Sequence, residues 1–135
     1  MPFHLIDYSE VWYRRLAKTS LPDIRSGKFV QIRNDEDEYV VLSPPELSKY
    51  HATIVERFCE LRGIRGEYNP KRDYYFVKDS EWVVIGGGFW QLDTTRRTLR
   101  LSGASTAYGR FDNENLLKNI KAVDPWMDFT VTVEK

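Results

Sequence analysis

Cysteine is nearly absent: Cys59 stands alone in 135 residues. A lone thiol closes no internal disulfide, so a disulfide scaffold is excluded and a reducing compartment, the cytoplasm, is expected. Histidine is almost as scarce, with only His4 and His51. There is no His-x-x-x-His, no cysteine pair and no set of carboxylates on one helical face, so neither a metal nor another cofactor is expected. No apolar run approaches the roughly 18 residues that a membrane span needs. Met1 to Glu10 lacks the basic-then-apolar order of a secretory leader. An excess of one charge is missing too. Twenty Lys and Arg balance twenty Asp and Glu, which gives no bulk electrostatic reason to expect nucleic acid as a partner. Internal repeats and low-complexity linkers are also lacking.

What is present is the composition of one globular domain, with 41% hydrophobic and 30% charged residues, long enough to bury a core. Residues 1–23 read as an N-terminal arm. A short helix over 6–18 would carry Val11, Trp12 and Leu16 on one side, and Thr19-Ser20-Leu21-Pro22-Asp23 would break it. Residues 24–135 read as the domain proper. Lys28 to Arg33 alternates as a half-buried strand does, Asn34 to Asp37 suits a hairpin turn, and Glu38 to Leu42 suits its return strand. The four acids Asp35 to Glu38 read as a solvated turn, because cation sites need converging rather than adjacent ligands.

Ser43-Pro44-Pro45-Glu46 matches a capping box with proline at the first helical position. A helix is therefore expected over 44–62, with Leu47, His51, Ile54, Phe58 and Leu61 along its apolar stripe and Gly63 as its stop. Cys59 falls on this helix as a small buried hydrophobe or, less simply, a nucleophile. Glu67 to Arg72 reads as a polar turn. Strands are expected at Tyr74–Lys78 and Glu81–Ile85. Gly86-Gly87-Gly88 interrupts the β pattern, which resumes at Phe89–Asp93 and Thr98–Leu101 around a turn at Thr94–Arg97. Asp112 or Asn113 can cap a second helix with Leu116, Leu117 and Ile120 inward, and Asp128–Val133 closes as a strand. The order β-β-α-β-β-β-α-β predicts an α/β protein of the α+β type: a single mixed sheet with two main helices packed on it.

Three features could carry chemistry. His51 lies on the sheet-facing stripe of its helix. There it is either a bonded core residue or a proton-transfer group or nucleophile, since its ordinary pKa of about 6.5 suits either role near neutrality. The loop Ser102 to Gly109 lies between a strand and a helix and is rich in small residues. Its backbone N–H groups could form an anion-binding nest, with the Ser105 and Thr106 hydroxyls as further donors, or it is a plain Gly/Ser turn. The triple glycine needs a reason: a bulge, close backbone packing, or close approach to a ligand.

These features occur together, in order, in one known family. Lys28-Phe29-Val30-Gln31-Ile32-Arg33, Tyr50-His51-Ala52-Thr53-Ile54, Gly86-Gly87-Gly88 and Ser105-Thr106-Ala107-Tyr108-Gly109 make residues 24–133 resemble the protein histidine phosphatases of the Janus family. The resemblance implies a compact mixed sheet and metal-independent removal of phosphate from phosphohistidine in proteins. It implies that His51 is the catalytic residue, as base or nucleophile. Lys28 would be the phosphate-side cation, and Ser105 with the Ala107 backbone part of a phosphate cradle spanning Ser105, Thr106, Ala107, Tyr108 and Gly109. The implied partner is a phosphohistidine-containing protein or a small phosphorylated ligand, with no nucleic acid and no membrane. Two positions depart from the family: Phe89 and Ser43 stand where it carries arginines. Arg33, Arg100 and Arg110 are the candidate replacements. A residue stretch around 68–79 is also extra and suits an added hairpin. These departures motivate a second expectation, a phosphate-binding module without catalysis. A third is a structural subunit using Trp82, Trp90 and Trp126 at an interface.

Overall fold

The strands at the centre of the molecule are apolar on both sides, which requires cover on both faces of the sheet. In β2 (Ile24–Arg33) and β3 (Glu38–Ser43), Val30, Ile32 and Val41 face one core while Phe29, Val40 and Leu42 face the other. The computed structural model describes residues 2–17 and 21–134. Those residues form a six-stranded mixed sheet in the order β1-β3-β2-β6-β7-β8, plus a two-stranded hairpin. The remaining strands are β1 (Phe3–Asp7), β4 (Gly66–Tyr68), β5 (Tyr75–Val77), β6 (Val83–Asp93), β7 (Thr98–Ser102) and β8 (Thr130–Val133). The outer pairs β1–β3 and β7–β8 are parallel; the inner pairs are antiparallel.

Two helices cover the sheet. Helix α2 (His51–Arg62) packs Ala52, Ile54, Val55, Phe58 and Cys59 into the first core, and α3 (Leu116–Lys121) packs Leu116 and Ile120 into the second. A mixed sheet with two main helices is therefore the architecture. Gly63 ends α2 in the left-handed conformation, and the Ile64 N–H bonds the Cys59 carbonyl in the usual closing pattern.

Several local expectations are corrected. α2 starts seven residues later than position 44. Pro44 and Pro45 open a turn instead, in which the N–H groups of Leu47 and Ser48 both bond the Pro44 carbonyl. Ser43 belongs to β3 and its hydroxyl donates to Ser48 rather than capping a helix. The real start is at Tyr50, where the Thr53 hydroxyl accepts the Tyr50 N–H at 2.9 Å and donates to its carbonyl at 2.7 Å. Leu61 and Leu117 lie outward, and α3 follows Asn115 rather than Asp112 or Asn113. Gly66 to Tyr68 is a strand rather than a turn, pairing with β5 in a hairpin.

The arm contains more than a helix. β1 joins the sheet beside β3, and α1 (Tyr8–Ala17) follows it. Val11 is exposed on α1. The side chain of Leu16, expected on the same side of the helix, and Thr19 and Ser20 of the expected break lie outside what is described.

The triple glycine does not interrupt β6, which runs through it; the register against β2 shifts just before it, at Gln31/Ile32. Close packing explains the residue choice. A Cβ on Gly86 would fall 2.1 Å from the Arg110 carbonyl oxygen, and one on Gly87 would fall 2.5 Å from that of Phe29 and 2.9 Å from the His51 ring. Trp90 and Trp126 are buried, and Trp82 packs on the first core, so they form no exposed aromatic patch. No helix among the described residues is long and apolar enough to cross a membrane.

Candidate functional site

The position of His51 follows from two local features. It is the first residue of α2, held there by the Thr53 clasp on Tyr50, and it leans on the backbone of β6 where the glycines leave room. Its side chain is buried, and Nε2 lies 2.9 Å from the Gly88 carbonyl. A carbonyl only accepts, so Nε2 carries the proton and Nδ1 keeps its lone pair in the neutral ring. Nδ1 has no partner among the described residues and is not among the side-chain atoms sealed from solvent. Burial lowers the His51 pKa below its ordinary 6.5; the Gly88 bond opposes this, and the Lys28 ammonium adds to it. A neutral imidazole with one free lone pair is thus the form at neutral pH.

His51 opens on a cleft of about 720 Å³. Lys28 comes to it from β2, half-buried, with its ammonium donating to the Lys49 carbonyl at 2.8 Å and 5.5 Å from the Tyr50 ring centroid. Two ammonium protons remain for a ligand. Ala52, in the first turn of α2, also lines the cleft. The unbonded N–H groups at a helix start favour negative charge.

The loop after β7 contributes unevenly. Ser105 and Gly109 bond each other through both N–H groups, at 3.0 and 2.8 Å, and the Tyr108 N–H donates to the Ser105 hydroxyl. These three residues shape the loop and do not line the cleft. Thr106 and Ala107 do, and no bond engages their N–H groups among the described residues. The structure therefore brings together His51, Lys28, Thr106 and Ala107, with Ser105, Tyr108 and Gly109 behind them. Tyr108 has a further tie: its hydroxyl donates to the Tyr75 carbonyl at 2.8 Å and accepts the Tyr75 N–H at 3.0 Å, joining the loop to the hairpin.

The candidate replacement arginines are elsewhere. Arg33 pairs with Glu38 and Asp112, Arg100 pairs with Glu134, and Arg110 does not line the cleft. Lys28 is the single cation lining it among the described residues. Phe89 is half-exposed on the cleft wall, its ring meeting that of His51 edge-on at 5.8 Å between centroids. Ser43 is buried under Trp90, whose indole N–H reaches the Ser43 carbonyl.

Sequence reasoning did not single out the other walls: Tyr50, and from the hairpin Asn69, Asp73, Tyr74 and Phe76. The one available signal was the hairpin expected around 68–79; nothing local says that this stretch lines a cavity with His51. His4 is remote, stacked on Tyr39 and bonded to Asp37. Cys59 is buried, with its thiol pushed up to about 11 by burial and by Glu60, the opposite of an activated nucleophile. Among the described residues no three His, Cys, Asp or Glu side chains converge as a metal site requires. No family model matches the chain, and no curated protein matches it.

Proposed function

We propose that the cleft is a phosphoryl site, and that the protein is a metal-independent phosphatase acting on phosphohistidine in proteins. The observation that carries this reading is His51 itself: buried, held as the neutral Nε2–H tautomer by Gly88, with the Nδ1 lone pair left over beside an ammonium. Lys28, the start of α2 and the Thr106 and Ala107 N–H groups would hold the phosphoryl oxygens, and positioning with charge stabilisation supplies most of the catalysis in phosphoryl transfer. His51 Nδ1 acts in one of two ways. As a base it takes a proton from water while the water oxygen bonds phosphorus and the P–N bond of phosphohistidine breaks, the released imidazole nitrogen gaining a proton. As a nucleophile it bonds phosphorus as the substrate's P–N bond breaks and the released imidazole nitrogen gains a proton; water then bonds phosphorus, the His51 Nδ1–P bond breaks, and inorganic phosphate leaves.

The test is hydrolysis of a phosphohistidine peptide, with a chelator present, by wild type and His51→Ala. Turnover that survives chelation and falls by at least about a hundredfold in the variant is expected; unchanged turnover in His51→Ala sinks the proposal. A phosphoenzyme on His51 after a rapid acid quench separates the two routes.

One observation favours a second reading, a phosphate-binding module without turnover: Phe89 occupies wall space beside His51, and Lys28 is the one lining cation. This reading expects phosphohistidine peptide to raise the melting temperature of wild type with no release of phosphate. It further expects Phe89→Arg to tighten that binding.

A further inference from the structure

The hairpin side of the cleft has a chemistry of its own. Asn69 holds the turn between β4 and β5: its side-chain oxygen accepts the N–H groups of Asp73 and Tyr74, and its amide donates to Asp73 Oδ1 at 2.6 Å. Asp73 Oδ2 is left without a partner among the described residues, and Asp73 is the one carboxylate lining the cleft there. The two basic neighbours in the turn do not neutralise it from within the cleft. Arg72 lies over the Tyr68 ring at 4.3 Å, and neither Lys71 nor Arg72 lines the cavity.

Aromatic side chains line the same cavity as that carboxylate. Tyr74 and Phe76 lie 4.6 Å apart, and Tyr74 also rests on Tyr108 at 4.6 Å. Phe76, Phe89 and Tyr50 are about half exposed, so three large exposed hydrophobic side chains gather on one cavity. Such a concentration on a monomer surface marks a contact site. A carboxylate that shares a cavity with aromatic rings offers the recognition chemistry of an ammonium or guanidinium group. The cavity also has more room than one phosphorylated side chain needs.

We propose that the Gly66–Val77 hairpin gives the cleft a second subsite, formed by Asp73, Tyr74 and Phe76, which takes the cationic side chain of a lysine or arginine next to the phosphorylated residue. The inference rests on the phosphoryl reading of the Lys28–His51 side for its account of the substrate. It narrows that substrate to phosphorylated sites in basic sequence. Lys28 repels a cation on its own side and Asp73 attracts one on the other, which fixes the direction in which a peptide lies.

The experiment measures binding of four peptides to the full chain by calorimetry. The central residue is phosphohistidine or histidine, and the flanks are lysine or the uncharged isostere norleucine. Wild type is expected to prefer lysine flanks roughly three- to tenfold, with or without the phosphoryl group, and less so as salt rises. The protein has a formal net charge of zero, so bulk attraction does not supply such a preference. Asp73→Asn keeps an oxygen for the Asn69 amide and is expected to abolish the preference, Asp73→Glu to retain much of it, and Phe76→Leu to reduce it. On phosphopeptides, the Asp73→Asn loss is expected in KM, with kcat unchanged. Equal binding of lysine and norleucine peptides by wild type, or a preference that survives Asp73→Asn, overturns the subsite. Should neither phosphopeptide be hydrolysed or bound more tightly than its plain counterpart, the phosphoryl reading falls instead, and the lysine–norleucine comparison still decides the subsite.

Discussion

At the scale of single residues, His51 ties the stability of the fold to one proton. Its folded pKa lies below the ordinary 6.5, with burial the main cause, so between that value and pH 6.5 the unfolded chain binds a proton that the folded chain refuses. Stability therefore falls as pH drops through this window and levels off below the folded pKa. Denaturant melts of wild type and His51→Asn across pH 4 to 8 should differ in slope there. NMR titration of the imidazole should place its midpoint below about 6.5; a midpoint above that value contradicts the tautomer and burial described here. Gly87 is the second decisive residue. Gly87→Ala sets a methyl group against the Phe29 carbonyl and the His51 ring, so a loss of about 1–3 kcal/mol is expected in urea titration, with turnover falling alongside it. The contact between His51 and the glycine run involves residues that already stood out in the chain, one as a scarce type and the other as an unusual run. Asp73 did not, because an exposed aspartate in a polar turn looks the same whether or not a cleft lies beside it.

Among elements, the hairpin and the loop after β7 behave as one unit, clasped by the Tyr108 hydroxyl on both backbone groups of Tyr75. Tyr108→Phe leaves that N–H and carbonyl without their partner, at a cost of about 1–3 kcal/mol. Hydrogen exchange should then quicken in residues 66–77 while the amides of α2 keep their protection, and KM for a phosphopeptide should rise. Exchange that quickens equally in α2 would show that the clasp is not local. β7 was readable from alternation because its buried side chains turn to one face, whereas β2 and β3 are buried on both faces, so the half-buried strand expected over Lys28 to Arg33 was right in type and wrong in exposure. The start of α2 was misread for a physical reason. Ser43-Pro44-Pro45-Glu46 satisfies the local chemistry of a helix start, but Ser43 is held in the sheet as the partner of Lys28, and strand pairing prevails over capping. The β4 strand was missed because three residues are too few to show a period.

At the scale of the whole molecule, each of the two cores lies between one face of the sheet and a helix, so exposing either requires that helix to leave the sheet or the sheet to unfold. Cys59, sealed in the first core with its thiol pushed up to about 11, reports that opening. A thiol reagent at pH 8 should label native protein only at the rate of unfolding, and denatured protein at once; a fast labelling phase in native protein would reveal a local opening of α2. The fold class was legible from the order and period of the segments. The place of β1 beside β3 was not, since pairing between distant strands leaves no mark in local composition.

The anchorage of His51 on Gly88 has a consequence in time as well as in space. Lys28, His51, Asp73 and Thr106 are far apart in the chain and meet only after β2 has found β6. Contacts of such long sequence separation form slowly, so a half-folded chain carries every one of these residues and none of the cleft. The nascent protein therefore has no cleft to offer a ligand until its sheet has closed.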